Sequence, residues 1–421
     1  MKACFFTTNP ENRLRFVFDG RQKEFEKRLE LLPEPVLLSE MEEKRAQLAE
    51  IEVILSTWGM PALTEAQVRE FFPKLRLVLY SAASVRYFAE GYLDAGVTVV
   101  TAAQAMADFV TQYTVAAIYH LNKGFYRSAE LYRSGRFDEG KAYSQFHCPG
   151  NYETKIGVIG AGAIGSRVIR QLNAYPFEIL LFDPFVSNAR ATELKAKKVS
   201  LETLFAESDV ISNHLANNPQ TVDMLNYALF SRMKPDAAFI NTGRGAQVVE
   251  ADLARALREE PGRWALLDVT REEPIAPEHE FWALPNLTLT PHIAGVGRLE
   301  VLAYDDLLLD ELDRWLAGLP LRHAVSKEQL KTMAEKKKNT DGREALSSVQ
   351  ILLIRNYFSR NEWPSHSRAG VAPSRSTIVG AMSLMERSPR SRPALKCGPR
   401  QMIGIVISSG SSVPWMRSCP P

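Results

Sequence analysis

"KIGVIGAGAIGSR", Lys155–Arg167, decides the fold. Ile156–Ile159 reads as a buried strand, and Ala163 to about Ala174 reads as a helix. Between them run Gly160, Ala161, Gly162, Ala163, Ile164 and Gly165, a G-x-G-x-x-G turn. The three glycines act differently. Gly160 makes the tight turn, Gly162 lets backbone approach a pyrophosphate, and Gly165 lets the helix pack on the strand. The first N–H groups of that helix, from Ala163 and Ile164, carry the partial positive charge that attracts the pyrophosphate. Asp183 closes the next apolar run, "EILLFD", 18 residues past Gly165. A carboxylate there accepts hydrogen bonds from the adenosine ribose and repels a 2′-phosphate, so the stretch predicts NAD rather than NADP.

Working outward, residues 155–293 alternate apolar runs with helical patterns: "KIGVIG", "EILLFD", "DVISNHL", "AAFINTG", "WALLDV" and "LTLTPHI" are the expected strands. Residues 1–100 alternate in the same way, with strands at "KACFFTT", "PVLLSE", "VILSTW", "LRLVLYSAAS" and "VTVVTA" and helices at "EFEKRLELL" and "TEAQVREFF". Such alternation implies parallel sheets with helices on both faces, an α/β fold. Two long helical patterns, Ala105 to about Gly124 and Gly297–Gly318, flank the second half. They suggest that the nucleotide domain is spliced into another. The expected division is 1–106 with 297–330 as one domain, 107–296 as the inserted one, and 335–421 as a tail.

Ligands of an open α/β sheet sit at the carboxyl ends of its strands. There "AAFINTGRG" delivers Arg244, "WALLDVTREEP" delivers Asp268 and then Glu273, and "LTLTPHIAG" delivers His292. A cation, a carboxylate and an imidazole are the parts for hydride chemistry on a hydroxy acid. The arginine clamps a carboxylate, the histidine moves the hydroxyl proton, and the acid steadies the imidazolium.

These stretches resemble the D-isomer-specific 2-hydroxyacid dehydrogenases, which include D-3-phosphoglycerate dehydrogenases and glyoxylate/hydroxypyruvate reductases. "KIGVIGAGAIGSRV", "SDVISNHLANNPQTVDMLN", "MKPDAAFINTGRGAQVVE", "LLDVTREEP" and "LPNLTLTPHIAG" run in family order, and the likeness covers roughly 45–325. The resemblance implies a Rossmann NAD-binding domain inserted into a flavodoxin-like substrate domain. It implies an NAD-dependent enzyme acting on a small 2-hydroxy or 2-keto acid, with His292 as acid/base, Glu273 as its partner and Arg244 on the substrate. It also implies that Asp268 holds the nicotinamide carboxamide, and that His214, Leu215, Thr242 and Gly243 border the cofactor. Backbone N–H groups of Ala82 and Ala83 would take the substrate carboxylate. The loop "SAASVRYF" departs from the family pattern and brings Arg86 and Tyr87 into consideration as substrate contacts. A homodimer is implied, with "YRSAELYRSGRFDEGKAYSQFHCPG" as its arm. Corepressors that share this fold and these motifs, and bind NAD to control assembly, are the alternative.

The remaining sequence bounds these readings. The chain has 421 residues and a formal charge of +2. From Glu335 onward there are 14 Lys+Arg against 5 Asp+Glu, which leaves 37 against 44 before it. An acidic body gives no reason to expect nucleic acid as a ligand. The basic Ser/Pro/Arg-rich tail, 335–421, lacks a sustained period and predicts disorder, with a read-through end as one explanation. Cys4, Cys148, Cys397 and Cys419 form no metal-spaced pair; this fits a reducing cytoplasm. No signal peptide or membrane span is expected.

Overall fold

The computed structural model describes residues 1–8, 17–18 and 20–332. The basic tail, with Cys397, Cys419 and His366, lies outside the described residues.

The first sheet holds β1 (Lys2–Thr7), β2 (Glu30–Leu31), β3 (Val36–Leu37), β4 (Val53–Ser56), β5 (Leu77–Tyr80) and β6 (Thr98–Thr101). All its pairings are parallel, in the order β2-β1-β4-β5-β6, with β3 also on β1. This is the doubly wound, flavodoxin-like order. "VILS" and "LVLY" are buried along their whole length, as strands covered on both faces must be. The helix expected over "EFEKRLELL" is shorter, Gln22–Glu26. Pairing with Lys2 and Ala3 draws Glu30 and Leu31 into the sheet instead.

A helix, α1 (Ala103–Asn122), then leaves β6. Twenty residues without Gly or Pro sustain it, and its buried Val115, Ile118 and Leu121 pack on the second sheet. That sheet holds β7 (Lys155–Ile159), β8 (Glu178–Phe182), β9 (Lys197–Lys198), β10 (Val210–Asn213), β11 (Ala238–Asn241), β12 (Trp264–Leu267) and β13 (Leu287–Leu289). Its order is β13-β12-β11-β10-β7-β8-β9, every neighbour parallel. Strand order reverses beside β7, and the glycine turn and α2 (Ala163–Leu172) follow from that strand. In such sheets this reversal is where ligands bind.

After β13 the chain returns to the first lobe through α3 (Glu300–Leu316). Leu308, Leu309 and Leu312 bury against Phe5, Leu55, Leu79 and Val100 of the first sheet. Residues beyond α3 close along β6, where Val325 N–H donates to Val99 O at 2.8 Å and Val100 bridges Ala324. Residues on both sides of the second sheet therefore build the first lobe.

Candidate active site

The carboxyl edge of the second sheet carries most of the candidate residues. Gly160 turns the chain out of β7 with φ 86°, a conformation that L side chains resist. A Cβ on Gly165 would lie 1.9 Å from the Gly160 carbonyl oxygen, so α2 packs on the turn only without one. Gly162 is different: a Cβ there would meet nothing within 4 Å. α2 then begins at Ala163 with no capping side chain. Its first N–H groups have no intrahelical acceptor, and the open space beside Gly162 suits a pyrophosphate. Asp183, just past β8, accepts from Ala161 N–H at 2.8 Å and from Phe185 N–H at 2.9 Å. Those bonds fix its carboxylate beside the turn. His214 lies on the neighbouring strand end, its carbonyl oxygen 3.0 Å from where a Gly160 Cβ would be. Its imidazole is buried with Nε2 2.9 Å from Ser212 Oγ, and burial pushes its pKa down to about 3. The ring is thus a neutral wall. Turn, uncapped helix, acid and neutral wall fit a dinucleotide.

Asn213, Asn241 and Gln247 carry no motif of their own in the sequence, yet they shape the next turn. All three are fully buried. Asn213 Nδ2 donates to Asn241 Oδ1 at 3.1 Å and to Gln247 Oε1 at 2.6 Å. Gln247 Nε2 donates to Leu215 O at 2.8 Å, and Asn241 Nδ2 donates to Arg244 O at 3.1 Å. Asn241 also takes the Gly243 N–H at 3.0 Å. Removing one member leaves a buried group unpaired, a cost of roughly 1–3 kcal/mol. One signal could have found them: "VISN" and "AFIN" each end an apolar strand on asparagine.

This network presents Arg244. A Cβ on Gly245 would come 1.9 Å from the Thr270 carbonyl carbon, so the Arg244 turn lies directly on the loop after β12. That loop carries Glu273. Burial lowers the pKa of the Arg244 guanidinium, and the charge of Glu273 pulls the other way. Arg244 Nη1 donates to the Gly243 carbonyl at 2.7 Å; it forms no ion pair among the described residues. Glu273 Oε2 instead lies 2.8 Å from His292 Nδ1, and both side chains are exposed. His292 adopts φ 54°, in the left-handed region that few non-glycine residues occupy. Its N–H donates to Asp268 O and Thr290 O, both at 2.9 Å. Buried Asp268 organises the same loop: it accepts from Thr290 Oγ1 at 2.6 Å, Ile293 N–H at 2.9 Å and Ala294 N–H at 2.8 Å. Arg244, Asp268, Glu273 and His292 thus converge. Among the described residues no cluster of His, Cys, Asp or Glu is grouped for a metal.

On the first lobe, Ala82 and Ala83 follow β5. Ala82 is fully buried and its N–H donates to Tyr80 O at 2.9 Å. Thr101 Oγ1 lies 2.7 Å from both the Ala82 and Ala83 carbonyl oxygens. A trans peptide points its N–H opposite its carbonyl. The Ala83 N–H therefore runs away from Thr101, whereas that of Ala82 is already engaged. Arg86 turns to the Leu330 carbonyl, and Tyr87 places its hydroxyl 3.3 Å from that of Tyr80. Thr242 faces α1, its hydroxyl 3.3 Å from Thr114. The two loops meet at the start of α1. Ala102 N–H donates to Ala82 O at 3.0 Å, and a Cβ on Gly295 would lie 2.8 Å from Val110.

A doubly wound sheet with this turn, and an acid at the end of its second strand, defines a dinucleotide-binding protein. Residues 115–294 match the model of the D-isomer specific 2-hydroxyacid dehydrogenase, NAD binding domain. The chain is 30% identical over 283 residues to glycerate dehydrogenase of Methylorubrum extorquens, covering 66% of this chain and 86% of that one. It is 35% identical over 170 residues to D-3-phosphoglycerate dehydrogenase of Archaeoglobus fulgidus, covering 40% of this chain and about a third (32%) of the relative. The solved structure of apo D-mandelate dehydrogenase from Rhodotorula graminis superposes with a TM-score of 0.65 at 20% identity, covering 77% of this chain and 98% of that one. The chain belongs to the D-isomer specific 2-hydroxyacid dehydrogenases, and it carries their NAD-binding domain. Among the described residues no helix is long and apolar enough to cross a membrane.

Proposed function

We propose that the protein transfers a hydride between NAD(H) and a small D-2-hydroxy acid or 2-keto acid. The observation that carries this reading is the Glu273–His292 bond of 2.8 Å beside a guanidinium that lacks an ion pair among the described residues. A cation desolvated without a carboxylate partner is a site for an anionic ligand.

In this reading residues 107–296 bind the nucleotide, while 1–106 and 297–330 form the substrate lobe. Gly160, Gly162, Ala163, Ile164 and Gly165 cradle the pyrophosphate, and Asp183 takes the adenosine ribose. His214, Leu215, Thr242, Gly243, Asp268 and His292 border the nicotinamide end. Bound there, the nicotinamide supplies or accepts the hydride. Arg244 and the Ala83 N–H hold the substrate carboxylate, since the Ala82 N–H is taken by Tyr80. Glu273 occupies His292 Nδ1, so Nε2 is the nitrogen that gives its proton to the substrate oxygen in reduction, or takes it in oxidation. Glu273 keeps the ring oriented and offsets the imidazolium charge. Asp268 holds the loop that sets the height of His292.

The same reading makes the protein a cytoplasmic homodimer. The free thiols Cys4 and Cys148 suit a reducing compartment. The helices Phe125–Arg133 and Phe137–Phe146 leave Phe125, Tyr132, Phe137 and Phe146 exposed, the kind of apolar patch that a second copy covers. Absorbance of NADH with a panel of small 2-keto acids tests the activity. At least one acid is reduced, with NADH preferred over NADPH; oxidation of NADH with none of them contradicts the proposal.

A further inference from the structure

α3 reaches the loop after β13 and the loop after β5 with adjacent residues. Tyr304 donates its hydroxyl to the Gly295 carbonyl, three residues past His292. Asp305 accepts from Ser81 Oγ at 2.7 Å, across 224 residues of sequence. Ser81 is the root of the loop that leads to Ala82 and Ala83. Its N–H donates to Ser56 O at 2.8 Å, and its carbonyl takes Thr57 Oγ1 at 3.0 Å. Both main-chain groups are thus spoken for by β4 and its turn, and the side chain ties the loop to α3.

The acid at this position is unusual. Asp305 and Ser81 are both fully buried, and Asp305 Oδ2 has no hydrogen-bond partner among the described residues. The nearby cation, Arg21, pairs with Asp306 instead, Nη2 to Oδ2 at 2.9 Å. A buried carboxyl with one oxygen unmatched destabilises the fold compared with an apolar residue of similar size. Burial pushes its pKa up to about 8, against the opposing effect of the Ser81 bond. It therefore sits in the lobe as a neutral acid bonded to the loop root.

We propose that Asp305 is a positioning residue: through Ser81 it fixes the 81–84 loop relative to the catalytic loop that Tyr304 holds, and so sets substrate affinity. The inference rests on reading Arg244, Glu273 and His292 as a 2-keto acid site. The bond restrains the loop without touching the cofactor or His292. Loss of it raises the KM for the keto acid and leaves the proton and hydride steps largely intact.

The test compares full-length wild type with Asp305→Ala, Ser81→Ala and Asp305→Asn. Asparagine keeps an oxygen that accepts from Ser81. Asp305→Ala and Ser81→Ala raise KM for the best keto acid about tenfold with kcat within about threefold, and Asp305→Asn restores KM. NADH affinity, read by fluorescence titration, stays at the wild-type value in all three. In parallel, hydrogen exchange of the peptide spanning 77–92 speeds up in both alanine variants and not in Asp305→Asn. If no keto acid is turned over by wild type, the functional reading fails while exchange still decides the brace. Unchanged exchange in Ser81→Ala, or equal losses of kcat, KM and NADH affinity in that variant, would overturn the assignment.

Discussion

The two lobes hold their polar groups by opposite means. In the second, side chains stand at the ends of apolar strands: Asn213 and Asn241 close buried runs, Arg244 and Asp268 follow them, and His292 follows the half-buried β13. In the first, the turn after β5 offers main chain, with the carbonyls of Ser81, Ala82 and Ala83 pinned by Thr57 and Thr101. In the proposed reaction the proton and the charge sit on side chains, and so in the second lobe. In the same proposal the loop at 81–84, whose side chains are small, contributes through where its backbone is held.

The sharpest way to break this contrast is His292→Gln. Turnover falls by about 10²–10⁴, while NADH affinity measured by fluorescence titration is retained. Near-normal kcat would mean that the proton is carried elsewhere. Asp183→Ala probes the same lobe at the nucleotide end. It narrows the preference for NADH over NADPH by about tenfold, a change of about 1.4 kcal/mol, measured as the ratio of the two kcat/KM values; an unchanged ratio removes the role.

The first lobe's buried acid shows in stability. Asp305 keeps its proton to about pH 8 in the folded chain, whereas in the unfolded chain it ionises near 4. The stabilisation from that proton is complete below pH 4 and is lost as pH rises toward 8. Asp305→Asn has no proton to lose. Its Tm therefore gains on wild type between pH 4 and 8, by at least about 2 °C at pH 7. A constant difference across that range would contradict the assignment. The smallest effect belongs to Arg86→Ala, where KM shifts less than about threefold because the guanidinium serves the Leu330 carbonyl. A larger shift would return Arg86 to the substrate.

The contrast also explains what the residues alone disclose. Gly160, Asp183, Arg244 and His292 are legible because each punctuates a strand, and the glycine spacing has one economical explanation. Glu273 is legible beside its proline. Asn213 and Asn241 end strands in the same way but stay silent, because amides lack an obvious chemical role until the network with Gln247 is seen. In the first lobe "SAASVRYF" marks the loop but not its geometry. Only the folded chain reveals that the Ala82 N–H is used by Tyr80, and that Arg86 and Tyr87 point to Leu330 and Tyr80. Asp305 is unreadable in sequence, since its partner is 224 residues away. The helix before β2 is shorter than its pattern suggests because pairing with β1 outweighs local helical preference.

A structure of the protein with NADH and an unreactive 2-keto acid analogue decides where the substrate sits. The expected result is the ligand carboxylate on Arg244 and the Ala83 N–H, with its carbonyl oxygen within hydrogen-bond reach of His292 Nε2. A ligand bound away from both Arg244 and His292 would contradict it.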